Sequence, residues 1–261
     1  MRHTPTVSVV IPTYQRRDLV AGAVRSVIAQ TYSDLELIVV DDGSVDGTDE
    51  ALAALGCELR YHRQPNRGVS AARNVGVALA RGSIVAFLDS DDTWLPDHLA
   101  VLTETFARQP RAVLVSTSPR HRAEGRAEPG DAVLLQPLPA CLYGNPVGWP
   151  SSIGVRRADL VAVGGFDEQL PVGEGGELWG RLAFRGPFGL LQRQTIVKRR
   201  TAGSLVEQWR DSGAFLDAFE TTARRGAEQV DALTGSAAER LRSCAAGAVE
   251  FVAALRALVR R

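Results

Sequence analysis

The chain has 261 residues, 45% of them hydrophobic, with 30 basic against 30 acidic side chains and a formal net charge of zero. That length and apolar content can bury one large core or a core with an appendage, and the balanced charge excludes nucleic-acid binding driven by overall charge. Cys57, Cys141 and Cys244 are odd in number and far apart, with no C-x-x-C pair. A disulfide framework or zinc knuckle is therefore not expected, and a reducing cytoplasm is.

Val7 to Ile11 is a short β-branched run closed by Pro12, which reads as a strand and not as the core of a signal peptide. Leu19, Ala23, Val27 and Ile28 then fall at helical spacing, with Asp18 as a cap. Leu35 to Val40 repeats the strand, Asp41-Asp42-Gly43-Ser44 turns, and Thr48 to Leu55 is helical. A third strand, Leu59 to His62, leads through Gln64-Pro65-Asn66-Arg67-Gly68 to an Ala-rich helix over Ser70 to Ala80. Ile84 to Leu88 is a fourth strand, and it stops in Asp89-Ser90-Asp91-Asp92. This alternation predicts an α/β fold with a parallel sheet and right-handed crossovers. Three polar clusters, Thr13-Tyr14, Asp41-Asp42 and Asp89 to Asp92, then share the carboxyl edge, where open sheets bind ligands.

Beyond this, Pro96 to Phe106 reads as a helix, Val113 to Ser116 as a strand, Pro119 to about Asp131 as a mobile loop and Pro137 to Ser152 as irregular chain. Ile153 to Val155 is apolar, Ala158 to Val163 is a short helix, and Gly164-Gly165-Phe166-Asp167-Glu168 breaks it. Leu178, Trp179, Leu182 and Phe184 mark another helix after Glu174, followed by a strand near Leu190 to Val197. The tail, Ala214 to Val230 and Ala237 to Leu258, carries helical stripes, and no stretch approaches the roughly 20 apolar residues of a membrane span.

Asp89 and Asp91, one residue apart in a turn, can face one hard cation held jointly with a phosphate, although the same residues also suit a solvated turn that caps the next helix. Taken together, Val9 to Tyr14, Val39 to Ser44, Asn66-Arg67-Gly68 with Ala71-Ala72-Arg73-Asn74, and Phe87 to Asp92 resemble the family 2 glycosyltransferases. Gly164 to Glu168 and Glu177-Leu178-Trp179 with Arg181-Leu182-Ala183 extend the resemblance over about residues 5 to 205. It implies a GT-A fold, a nucleotide-diphosphate sugar donor, most simply a UDP-sugar, Mn2+ or Mg2+, and inversion at the anomeric carbon.

By the same resemblance Tyr14 stacks on the nucleobase, which contributes about 1 to 3 kcal/mol, and Asp42 accepts from its N3-H. Arg67 and Arg73 meet phosphate oxygens, with Pro12, Thr13 and Ser90 lining the donor site. Asp91 is the direct metal ligand, with Asp89 reaching the ribose or a metal-bound water. The implied division is a glycosyltransferase domain over 1–210, with a nucleotide-binding half to 110 and an acceptor-binding half from 111, and a helical extension over 211–261. That extension can pack on the domain, form a homodimer, or rest on a membrane surface through Arg256, Arg260 and Arg261.

Two departures stand out. Where relatives carry Glu-Asp before the Leu-Trp pair, with the Asp as base, this chain reads Glu174-Gly175-Gly176-Glu177. The matching position is Gly175, so either Glu174, its neighbour, or Glu177 is left to take the acceptor proton. Many relatives also place a His where Thr201 stands, so the expectation is weaker metal binding, or charge compensation by Lys198, Arg199 or Arg200. The expectation is a transferase acting on an unidentified acceptor (glycan, lipid-linked saccharide, small molecule or peptide), with a non-catalytic nucleotide-sugar-binding protein as the rival.

Overall fold

The computed structural model describes residues 4–117, 133–135, 147–191, 193–199 and 214–231. The expected mobile loop over 119–131, the 137–146 segment and the helical stripe over 237–258 lie outside the described residues. Four strands, β1 (Val7–Thr13), β2 (Leu35–Asp41), β3 (Arg60–Arg63) and β4 (Ile84–Phe87), pair in parallel in the order β3-β2-β1-β4. The connecting helices are α1 (Arg17–Ile28), α2 (Thr48–Ala53) and α3 (Val69–Leu79). All seven residues of β1 are buried, because it is flanked on both edges and covered on both faces.

The sheet continues past β4 with mixed pairing. β8 (Ile153–Arg156) runs antiparallel to β4 and to β6 (Leu114–Ser116), β9 (Phe188–Leu190) is parallel to β6, and β7 (Val133–Leu135) closes the edge. The single strand expected near Leu190 to Val197 is two elements. β9 belongs to the main sheet, while β10 (Ile196–Val197) pairs with β5 (Thr93–Trp94) in a separate ribbon. A helix expected from Pro96 begins at His98 as α4 (His98–Arg108), with Pro96 in the preceding turn.

Alternate residues of β1 feed two cores. Val9 and Ile11 join Val20, Val24, Leu99 and Phe106 on one face, and Val10 joins Ile38, Ala72, Phe87, Leu178 and Trp179 on the other. Two further helices, α5 (Arg157–Ala162) and α6 (Glu174–Ala183), contribute Leu160, Leu178, Trp179 and Leu182 to the second core. The last described helix, α7 (Ala214–Asp231), packs on α6. No helix among the described residues is long and apolar enough to cross a membrane.

Close approach of α3 to the sheet depends on Gly76, where a Cβ would lie 2.2 Å from Cγ1 of the buried, branched Val10. Alanine favours a helix over glycine by about 1 kcal/mol, but the clash forces a core rearrangement costing about 1–3 kcal/mol. Gly76→Ala is therefore expected to lower the urea midpoint of unfolding, whereas an unchanged or raised midpoint would contradict this packing.

Candidate active site

Tyr14, Asp42 and the Asp89–Asp92 turn follow the carboxyl ends of three neighbouring parallel strands and so occupy one edge of the sheet. Tyr14 is 46% exposed and Gln15 after it has φ 52°, a left-handed conformation uncommon for a non-glycine residue. The loop is tied to its neighbour by Gln15 N donating to Ser44 Oγ (2.9 Å) and Val45 N donating to Gln15 Oε1 (3.0 Å). Asp41 holds the second loop by accepting from Ser44 N and the Tyr61 hydroxyl. Burial and the bond to Asp41 push that hydroxyl's pKa above its ordinary value.

Asp42 is buried and organises the loop over 64–68. Its Oδ1 accepts from Gln64 Nε2 (2.7 Å) and Arg67 N (2.9 Å), and Oδ2 accepts from Gly68 N (2.7 Å). Facing that loop, Gly43 has φ +89°, and a Cβ there would stand 3.0 Å from Asn66 N, so the turn demands glycine. A carboxylate accepts only from the amide nitrogen of Gln64, which fixes the flip and leaves Gln64 Oε1 buried without a partner among the described residues. Arg67 extends outward to Glu168 (2.7 Å). Pro12 is buried within β1, in register with Val40 of β2.

Arg73, on α3, differs most from the sequence expectation. Its side chain is 4% exposed, donating through Nη2 to Asp89 (2.8 Å) and through Nη1 to Glu174 (2.8 Å), with its guanidinium over the Phe166 ring. It therefore bridges the end of β4 to the start of α6. Although partial burial works against its charge, Arg73, Lys198 and Ser151 hold the Asp89 carboxyl below the usual range. Asp92 is fully buried and accepts from Ser151 Oγ (2.6 Å) and Lys198 Nζ (2.8 Å) through Oδ2. Burial and the Asp89 charge raise its pKa against those two partners. Ser151 Oγ also accepts from Asp89 N, and Lys198 Nζ lies 5.2 Å from the Trp149 ring centre.

Of the two candidate bases, Glu174 stands beside this edge. Its Oε1 accepts from Arg73 and Oε2 has no partner among the described residues. Glu177 is turned into the protein, 1% exposed, with Oε1 accepting from Arg181 and Arg225 and Oε2 from Arg181. Both oxygens of Glu177, one of the two candidate bases read from the sequence, are thus taken by arginines. Trp179 is core, whereas Trp149 stays partly exposed at the rim. Ser90 is buried in the turn, Arg199 is exposed, and Arg200 and Thr201 lie outside the described residues.

Five of the eight buried side-chain polar atoms without a partner among the described residues belong to this edge: Thr13 Oγ1, Gln64 Oε1, Ser70 Oγ, Arg73 Nε and Asp92 Oδ1. Such atoms are rare in folded proteins and collect where a ligand supplies the missing bond. Ser70 lies in the first turn of α3, which has no side-chain N-cap. Gln64 and Ser151 were not singled out by the sequence. Gln64 adjoins the matched Asn66-Arg67-Gly68, while Ser151 carries no local signal.

The model of the family described as "Glycosyl transferase family 2" matches residues 8–145. The chain belongs to that family. An uncharacterized glycosyltransferase of Rickettsia conorii is 28% identical over 205 residues, covering 76% of this chain and 33% of its own. The chain spans about a third of the length of the curated relatives it matches. Among solved structures, Staphylococcus aureus TarS 1–349 in complex with UDP-GlcNAc superposes with a TM-score of 0.70 at 20% identity, covering 90% of this chain and 70% of that one. The mannosyltransferase PcManGT of Pyrobaculum calidifontis, in complex with GDP-Man and Mn2+, gives 0.65 at 21% identity over 97% and 76%. The glycosyltransferase has the GT-A fold expected from its sequence.

Because the buried Glu177 is the carboxylate partner of the largely enclosed Arg181, its removal leaves that cation underpaired, at a cost of about 3–5 kcal/mol. Glu177→Ala is expected to lower unfolding stability by that order in urea titration, and a loss below about 1 kcal/mol would mean the pair is solvated after all.

Proposed function

We propose that this glycosyltransferase transfers a sugar from a UDP-sugar to an acceptor hydroxyl with inversion, using Glu174 as the base. The observation that carries the reading is the gathering of Tyr14, Asp42, Asp89 and Asp91 on one carboxyl edge, beside buried polar atoms that lack partners among the described residues. Further support comes from family membership and from the nucleotide sugars bound by two proteins of the same fold. Tyr14, exposed at the rim, offers a stacking face to the base. Asp42 Oδ2, which accepts one bond within the protein, can accept a second from the base N3-H. Thr13, Ser90 and Arg67 flank the same space.

Among the described residues no group of three His, Cys, Asp or Glu side chains can hold a metal by itself. Two hard carboxylates, Asp89 and Asp91, fit a divalent ion that completes its shell with a ligand's phosphates. When bound there, Mn2+ or Mg2+ supplies positive charge to the departing diphosphate. Lys198, held beside Asp92, adds a fixed ammonium on the same side.

In the transfer, the acceptor oxygen bonds to the anomeric carbon as the carbon–phosphate oxygen bond breaks. The nucleoside diphosphate leaves with that electron pair, and the hydroxyl proton passes to Glu174 Oε2. Arg73 fixes the other oxygen of Glu174 and so orients it. The pattern around Gly175 supports its reading as the missing Asp position. A Cβ there would sit 3.4 Å from the Trp179 indole nitrogen, in ordinary contact, and that buried N–H has no partner among the described residues.

Thermal shift with UDP-, GDP- and dTDP-sugars, with and without Mn2+, should single out a UDP-sugar, with the shift reduced in Asp42→Asn and Asp91→Asn. Glu174→Gln should reduce release of UDP about 100-fold or more while leaving the donor shift in place. No UDP-sugar shift would sink the donor reading, and equal turnover in Glu174→Gln would sink the base. A parent that binds donor but never turns it over would be a nucleotide-sugar-binding protein without catalysis.

Gly175→Asp gives a second test. A carboxylate at 175 meets the Trp179 N–H and adds a base one residue from Glu174, so turnover should rise by about tenfold or more over the parent. Turnover that stays level or falls in a folded variant would show that position 175 does not face the chemistry.

A further inference from the structure

We propose that Arg225, on the C-terminal helix α7, is a positioning residue for glycosyl transfer, holding α6 in the register that presents Glu174. This rests on the reading of Glu174 as the base.

Arg225 Nη1 donates to Glu177 Oε1 (2.9 Å) and to Asp167 Oδ2 (2.6 Å). Glu177 lies three residues beyond Glu174, on the same helix. Arg181, one turn further, donates to both oxygens of Glu177 and to the carbonyls of Val163 and Gly165. Two cations and two carboxylates from α6, α7 and the 164–168 turn thus form one closed cluster with Glu177 at its buried centre. A charge so buried resists displacement, because moving it away from either arginine leaves it desolvated and underpaired.

The seam between the helices is built for close approach. Gly180 of α6 faces Thr222 of α7, whose methyl would stand 3.8 Å from an added Cβ, and Ala223 and Gly226 of α7 are buried. The same turn reaches the donor edge from its other side. Glu168 accepts from Arg67 and Asn74, and Asn74 also bonds the Phe166 backbone at both its amide and its carbonyl. Phe166 then lies under Arg73, the partner of Glu174. Glu174 is therefore located from two directions, by Arg73 at the rim and by the Arg225–Glu177 clamp one turn along its own helix.

Among the described residues Arg225 bonds only Asp167 and Glu177, neither of them on the donor edge. Its removal should therefore separate transfer from donor binding. The full chain with Arg225→Met and Arg225→Lys is compared with the parent for UDP affinity in Mn2+ by calorimetry, UDP release from UDP-GlcNAc, and amide hydrogen exchange over 174–183. Arg225→Met should slow UDP release about tenfold with UDP affinity kept within about twofold, and should speed exchange over 174–183 but not over 7–41. Arg225→Lys should recover most of the rate, since an ammonium still reaches one carboxylate. An unchanged rate in Arg225→Met, a parallel loss of UDP affinity, or exchange over 174–183 equal to the parent's overturns the proposal. A parent that releases no UDP counts against the Glu174 reading, while the exchange comparison decides separately whether Arg225 clamps α6.

Discussion

One buried guanidinium sets the architecture of the site. Arg73 is almost fully enclosed, and an isolated charge in that position would cost far more than the protein's net stability. It is tolerable because Asp89 from the end of β4 and Glu174 from the start of α6 meet it at 2.8 Å each. Those carboxylates belong to segments 85 residues apart, and each needs the same cation. Removing either would leave Arg73 half-compensated, so the donor-side turn and the candidate catalytic helix are placed by one demand for charge balance.

Around that pivot the two sides of the site are built differently. The donor edge is held by backbone groups: the carboxylates of Asp41 and Asp42 collect amide N–H donors from their own or the adjacent loop, and a positive φ at Gly43 lets those loops close. Loops pinned in advance by such bonds lose little entropy when a ligand arrives. The opposite side is held by side chains from distant segments, Asp167, Glu168, Glu177, Arg181 and Arg225, of which the buried Glu177 gains most from exclusion of water. His98 shows how far that exclusion goes near the β5–β10 ribbon: enclosure alone pushes its pKa down to about 3, so it stays neutral, stacked on Trp94.

Much of the donor side was legible in the sequence because its signals are local. Each of β1, β2 and β4 is a short apolar run ending in a polar turn, and period and punctuation fix both the strand and the edge on which the turn falls. What escaped is pairing across distance. The two-residue strand β5 exists only because Ile196 and Val197 arrive a hundred positions later, and β9 and β10 read as one strand because no glycine or proline separates them. Likewise Arg73, an arginine on an amphipathic helix, carries no mark that its head is buried, and Glu177 reads as an ordinary first-turn acid until Arg181 and Arg225 are seen to enclose it.

This division also sets the surroundings of Gly175 apart from the loops at the carboxyl edge. The proposed donor site lies on the loops after β1, β2 and β4, whereas the atoms nearest a Cβ at Gly175 all belong to Trp179. The glycine neighbours Trp179, so the indole fills the apolar space while its N–H goes without a partner among the described residues. An unsatisfied buried N–H costs about 1–3 kcal/mol, a strain the helix can carry because Glu177, two residues on, is held by two arginines. The surroundings of position 175 are thus local to α6, and the proposed role of Glu174 depends on its own two oxygens, one pinned by Arg73 and the other without a partner among the described residues.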